Sequence, residues 1–168
     1  MVIPEFLRTI EQSGLAGWLR DSPSWLAYPA IITVHTYGMA LIVGLNVGID
    51  LRILGVAPRI PLAPLDRLFP IMWLGFWMNA ITGVLLLIAY PTKAFTDPVF
   101  YVKMAFVAAA IVYMQLIRNR VIRRANTVQE PAAANGKDLA AVSLLWWFGA
   151  IFAGKMVEYT YRNLIYPG

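Results

Sequence analysis

The chain has 168 residues, of which 60% are hydrophobic and only 14% charged, and its mean hydropathy is +0.63. A water-soluble domain carries about 25% charged residues, so most of this surface faces something other than water. The formal charge of +5 does not point to nucleic acid, because the basic residues stand at the ends of apolar runs, where membrane proteins keep them. Cysteine is absent, which excludes disulfides, thiolate metal sites, iron–sulfur clusters and cysteine nucleophiles.

Residues 3–20 come first. Ile3, Phe6, Leu7 and Ile10 recur at helical spacing and Leu15, Trp18 and Leu19 continue the apolar side. Glu5, Arg8, Glu11, Gln12 and Arg20 take the other face, which predicts an amphipathic helix lying on a membrane surface. Glu5 and Glu11 also break any signal-peptide pattern, so the first span is expected to act as its own uncleaved signal.

Ser22-Pro23 predicts a helix start, with Ser22 as cap and Pro23 in the first position. The first span is expected over 25–48 and the second over 68–90, closed by Pro91. Asp97-Pro98 opens the third, over 98–117, and the fourth covers 139–161. Each is long enough for a hydrocarbon core of about 30 Å. The expected fold class is therefore all-α: a single integral membrane four-helix bundle with an N-terminal interfacial amphipathic helix. Trp25, Tyr28, Tyr90, Tyr101, Tyr159, Tyr161 and Tyr166 gather near one set of helix ends, as an interfacial aromatic belt does.

Loop charges set the expected orientation. Arg52, Arg59 and Arg67 lie between the first two spans, and Arg118, Arg120, Arg123, Arg124 and Lys137 between the last two. The other side has only Arg8, Arg20, Lys93 and Arg162. The positive-inside rule then puts both termini on the outer, periplasmic side of a bacterial inner membrane. The stretch from Thr127 to Gly136 is expected to be a loop.

Polar groups inside a span are costly and so become functional candidates. His35, the single histidine, lies about ten residues into the first span, roughly 15 Å from its outer end. Tyr28, His35, Met39, Asn46 and Asp50 share its face, with Gly38 beside the histidine; Gly44 and Gly48 form a GxxxG pair expected at a close helix contact. Asn79, Thr82, Gly83 and Tyr90 share a face of the second span, and Lys103 lies near the outer start of the third. Lys155, Glu158 and Arg162 occupy one side of the fourth, with Lys155 and Glu158 spaced as an ion pair. Asp50-Leu51-Arg52 reads as an ion pair anchoring a helix end.

Three functions accommodate this convergence. The first is a haem b site with His35 as axial ligand, Lys103, Met78 or Met104 as a second, and Gly38, Gly83 and Ala108-Ala109-Ala110 leaving room. Lys155 and Arg162 would then face the propionates. The second is copper, held by His35 and Met39 with Met72, Met78, Met104 or Met156. The third is a cofactor-free subunit of a larger membrane assembly or homo-oligomer, in which His35 bonds Asn79, Thr82 or a carbonyl and Lys103 reaches to the interface. Serine hydrolase, phosphate-loop and dinucleotide motifs are all missing.

The helix-one histidine, the segment Asp50-Leu51-Arg52-Ile53-Leu54-Gly55, Thr82-Gly83 and Phe100-x-x-Lys103 together resemble an uncharacterised bacterial family of four-helix membrane proteins, over most of residues 20–120. That resemblance implies a fold and a polar site without an activity. More distantly, His35 and Lys103 resemble the key residues of the haem-binding four-helix protoporphyrinogen oxidases, and the chain is also similar to the membrane domain of copper-resistance proteins. Tyr28, Pro29 and Ala30 stand where the oxidases carry a tryptophan and a lysine, so their activity is not carried over.

Overall fold

The computed structural model describes residues 4–127 and 135–160, so Tyr161, Arg162, Tyr166 and most of the expected loop over 127–136 lie outside it. Two short helices, α1 (Glu5–Glu11) and α2 (Gly14–Asp21), precede the first long one, α3 (Tyr28–Leu54). A 3-10 turn at Ala63–Leu68 leads into α4 (Phe69–Ala89), and α5 (Pro91–Thr96) links it to α6 (Pro98–Ile117). A π-helical turn (Arg118–Ile122) and α7 (Arg123–Thr127) extend α6, and α8 (Gly136–Thr160) is last. Among the described residues there is no strand, and four helices are long and apolar enough to cross a membrane. The protein is an all-α integral membrane bundle.

The first span begins later than Ser22. The residue before a proline is held extended, and Ser22 (φ −68°, ψ 132°) therefore ends α2 instead of starting α3. After a turn at 25–27, Pro29 sits in the first turn of α3, where its missing N–H costs nothing. At the other end Gly55 takes φ 102° and closes α3 in a left-handed cap.

The amphipathic segment divides at Ser13, whose hydroxyl accepts from the Ala16 N–H at 3.3 Å and starts α2. Leu7, Ala16 and Leu19 are buried, while Phe6, Leu15 and Trp18 stay exposed. Two residues expected on the polar face turn toward the bundle instead. Arg20 donates from Nη1 to the Ala89 carbonyl at 3.2 Å, and the Thr92 hydroxyl donates to the Glu11 carboxylate. The α1–α2 pair thus lies across the end of α4 and α5, which we term the capped end. Arg20→Ala should loosen this cover, since a hydrogen bond to a charged group contributes about 1.5–3 kcal/mol. Chymotrypsin should then cut faster near Phe6 and Trp18 with the spans left intact; unchanged cleavage would refute the hook.

Lipid tails are as apolar as leucine, so helices in a bilayer associate through close packing rather than water exclusion. α3 pairs with α4, α6 with α8, and α3 with α8; α4 and α6 scarcely touch. The α3–α4 crossing is built on Gly38 and Gly75: a Cβ at Gly38 would lie 2.7 Å from the Gly75 carbonyl oxygen and 2.8 Å from the Asn79 nitrogen. By contrast, Gly44 and Gly48 meet no atom within 4 Å and are exposed, so the expected GxxxG contact is made elsewhere on the helix. In the α6–α8 pair the Phe106 ring lies against Gly149, 2.8 Å from where a Cβ would stand.

The apolar core fills one half of the bundle, where Ile42, Ile49, Ile53, Phe69, Met72, Met114, Ile117 and Trp147 are closed off from the surface. This half ends in the arginine-rich connections. There Arg118 donates from Nε to Asp66 at 2.8 Å and lies 4.9 Å over the Phe69 ring, tying the end of α6 to the start of α4. In the capped half His35, Asn79, Lys103 and Phe106 are only half-buried.

Candidate functional site

The capped half of α3 and α4 holds the candidate site. A helical Thr returns its hydroxyl to a preceding carbonyl, and Thr82 does so, donating to the Met78 carbonyl at 2.6 Å with the Asn79 carbonyl at 3.2 Å. That uses its one proton. With that proton assigned to the Met78 carbonyl, the shorter of its contacts, the 3.0 Å contact between Thr82 Oγ1 and His35 Nδ1 is donated by the imidazole. His35 is thereby the Nδ1–H tautomer, and its lone pair sits on Nε2.

Two further features position the ring. Asn79 Nδ2 donates to the His35 carbonyl at 2.9 Å, clamping the two backbones one turn from the glycine crossing. Gly83 leaves its side free: a Cβ there would be 3.4 Å from His35 Cε1. Thr82 and Gly83 are thus brought to His35 as the sequence suggests. Gly38 has another task, because the space beside it is filled by the α4 backbone, so it offers no room for a flat macrocycle.

Lys103 comes from the other helix pair. Its stem lies on α8, with Cε and Cδ 3.7 and 3.9 Å from the position a Cβ on Gly154 would take. Its ammonium is near enough to the His35 imidazole to act on it electrostatically. Among the described residues it has no carboxylate or hydrogen-bond partner. It is half-buried.

Lys155 is not brought to this group. It is exposed on α8, on the outward stripe with Phe148, Phe152 and Tyr159. Nor does it pair with Glu158, whose carboxylate accepts instead from Lys93 of α5 at 2.7 Å. Spacing permits an i, i+3 pair but does not compel it when a cation from another element has the shorter reach. Met72 is wholly buried in the core of the opposite half, and Met104 is 48% exposed on the outside of α6, while Met78 stands on α4 beside Gly38. Among the described residues no three His, Asp or Glu side chains gather as a metal site. Of the expected alanine run, Ala110 is buried and Ala108 is exposed.

A second polar group lies in the core half. The expected Asp50–Arg52 pair is not formed: Arg52 donates to the carbonyls of Pro58, at 2.9 Å, and Ile60, while Asp50 is 0% exposed. Two residues apart on a helix, their side chains point in different directions. Asn46 Nδ2 donates to Asp50 Oδ2 at 2.6 Å and to Ser143 Oγ of α8 at 2.9 Å. The shared face of Asn46 and Asp50 is visible in the sequence; Ser143, a serine in an apolar run, carries no local signal.

Comparison with protein-family models, with curated proteins and with solved structures finds no match for this chain.

Proposed function

We propose that the protein is a small membrane haem b protein, a cytochrome-like redox protein or redox subunit, with His35 as axial ligand. One observation carries this reading: Thr82 Oγ1 lies 3.0 Å from Nδ1, a contact that fixes the ring and, with the Thr82 proton on the Met78 carbonyl, leaves Nε2 with a lone pair. Metal-bound histidines are commonly oriented in this way, by a hydrogen bond from the second nitrogen. The donor set fits the group. A macrocycle brings four nitrogens of its own, so one or two side chains suffice, whereas a bare ion needs the cluster of ligands that is missing among the described residues. The slight contact between α4 and α6 and the half-buried state of His35 and Lys103 also support a guest in the capped half.

When bound, haem would supply one-electron transfer at its iron. The protein's part is to orient the imidazole through Thr82, to keep Gly83 clear of the ring, and to present Lys103. As a second ligand Lys103 must be neutral; as partner of a propionate it stays charged. The likeness to four-helix families with a helix-one histidine and a helix-three lysine supports the same two positions. The positive-inside asymmetry supports a bacterial inner membrane with the arginine-rich end in the cytoplasm and both termini periplasmic. Lipid, other membrane subunits or further copies of the chain would be its partners.

A cofactor-free subunit is the second reading, and the same hydrogen bonds favour it: Thr82 holds the His35 ring at Nδ1 and Asn79 bonds its backbone carbonyl without any ligand. Copper is less well supported, since Met72 and Met104 lie away from His35. Absorption spectra of the purified protein decide between the first two. With haem supplied during expression, a Soret band and an α band that sharpens on reduction with dithionite are expected. A colourless, folded preparation would refute haem binding and leave the subunit.

A further inference from the structure

Asp50 lies fifteen residues from His35 along α3, about 22 Å at 1.5 Å per residue, so its chemistry is separate from the histidine site. Its side chain is 0% exposed, and Ser143 and Asn46 beside it are 0% and 2% exposed. Asn46 bonds Oδ2, the Ser143 hydroxyl lies against the carboxyl, and Oδ1 has no partner among the described residues. An ionised carboxylate in that position would carry an uncompensated charge in an apolar core, which proteins avoid by pairing or by neutralising the group.

Among the ion pairs of the described residues none involves Asp50. On α3 itself Arg52 is turned to Pro58 and Ile60. From the 3-10 turn and the end of α6, Asp66 and Arg118 are bound to each other. On α6 Tyr113 rests on the Trp146 ring, 6.2 Å between centroids. At the start of α8 Lys137 and Asp138 are exposed.

We propose that Asn46, Asp50 and Ser143 form a proton-binding site near the arginine-rich end of the bundle, with the proton on Asp50 Oδ1. A metal ion would need several more oxygens than these three residues offer, and a proton needs one lone pair. Asn46 holds Oδ2 and thereby directs the proton to the other oxygen. A cleft of about 610 Å³ between α6 and α8 is lined by Tyr113, Arg120, Asp138 and Val142, the last adjacent in sequence to Ser143. The site is occupied at low pH and empties as pH rises.

Infrared spectroscopy of the full chain in detergent tests this directly. A carbonyl band of a protonated carboxyl is expected that shifts in D2O, disappears reversibly as pH is raised, and is lost completely in Asp50→Asn. Asp97 is the other fully buried aspartate, with an unpartnered Oδ2, so the band must survive in Asp97→Asn. Carboxyl-13C aspartate in the wild-type chain assigns the band to an aspartate even if Asp50→Asn fails to fold. Absence of the band at every pH overturns the proposal. So does a band that neither exchanges nor titrates, which would mark a sealed structural acid, or one displaced by sodium but not by potassium at fixed pH, which would mark a sodium site.

Discussion

His35→Ala should give a folded, colourless protein under conditions in which the wild type carries haem. The imidazole is held at Nδ1 by Thr82, and alanine removes that ligand while the glycine crossing a turn away stays intact. Thr82→Val is the more discriminating variant. It keeps the shape of the side chain and removes the hydroxyl, so Nδ1 loses its acceptor and the ring its fixed tautomer. Loss of such a supporting partner lowers metal affinity about 10–100-fold, read as weaker haem retention on dilution into detergent. The subunit reading expects no spectrum in any variant and a shift in thermal stability alone. Full pigment in a folded His35→Ala protein would remove the ligand assignment altogether.

The second large effect concerns Gly38 and Gly75. Either one replaced by alanine should be destabilised by about 1–3 kcal/mol, the usual range for overpacking. In both positions the new Cβ meets backbone: at Gly75 it would lie 2.8 Å from the Gly38 carbonyl oxygen and 3.0 Å from the Ile42 nitrogen. Backbone cannot swing aside as a side chain can. Gly44→Ala supplies the contrast, because open space surrounds that position and alanine favours a helix over glycine by about 0.8–1.0 kcal/mol. Thermal unfolding in one detergent should order them with Gly44→Ala at or above the wild type and the other two well below. Equal midpoints for all three would mean that α3 and α4 do not approach closely at the Gly38 level.

The bundle was legible because four apolar runs of spanning length leave few alternatives in a membrane, where backbone groups must be satisfied within each segment. The face of α3 bearing His35, Asn46 and Asp50 also follows from helical periodicity, and Thr82-Gly83 falls at the matching depth of α4. Partner choice did not follow. Which glycines touch depends on how two helices are rotated about their axes: Gly38 and Gly75 face each other while Gly44 and Gly48 look outward. Glu158 takes Lys93 from a different element, and Asp50 takes Asn46 on its own helix and Ser143 across it. Local spacing holds no record of these tertiary selections. At Ser22 the ambiguity is local, since a serine before proline suits the end of one helix as well as the start of the next.

The hook from Arg20 to Ala89 spans 69 residues of chain, and this gives the order of events during synthesis. Chains leave the ribosome N-terminus first at about 5–20 residues per second, so roughly 3–14 s separate the emergence of Arg20 from that of its acceptor. During that interval α1 and α2 have no finished surface to dock on, and Phe6, Leu15 and Trp18 are free to rest on the lipid surface. A segment made before the first span therefore finds its place after it, and the α3–α4 hairpin must be inserted before its cover can close.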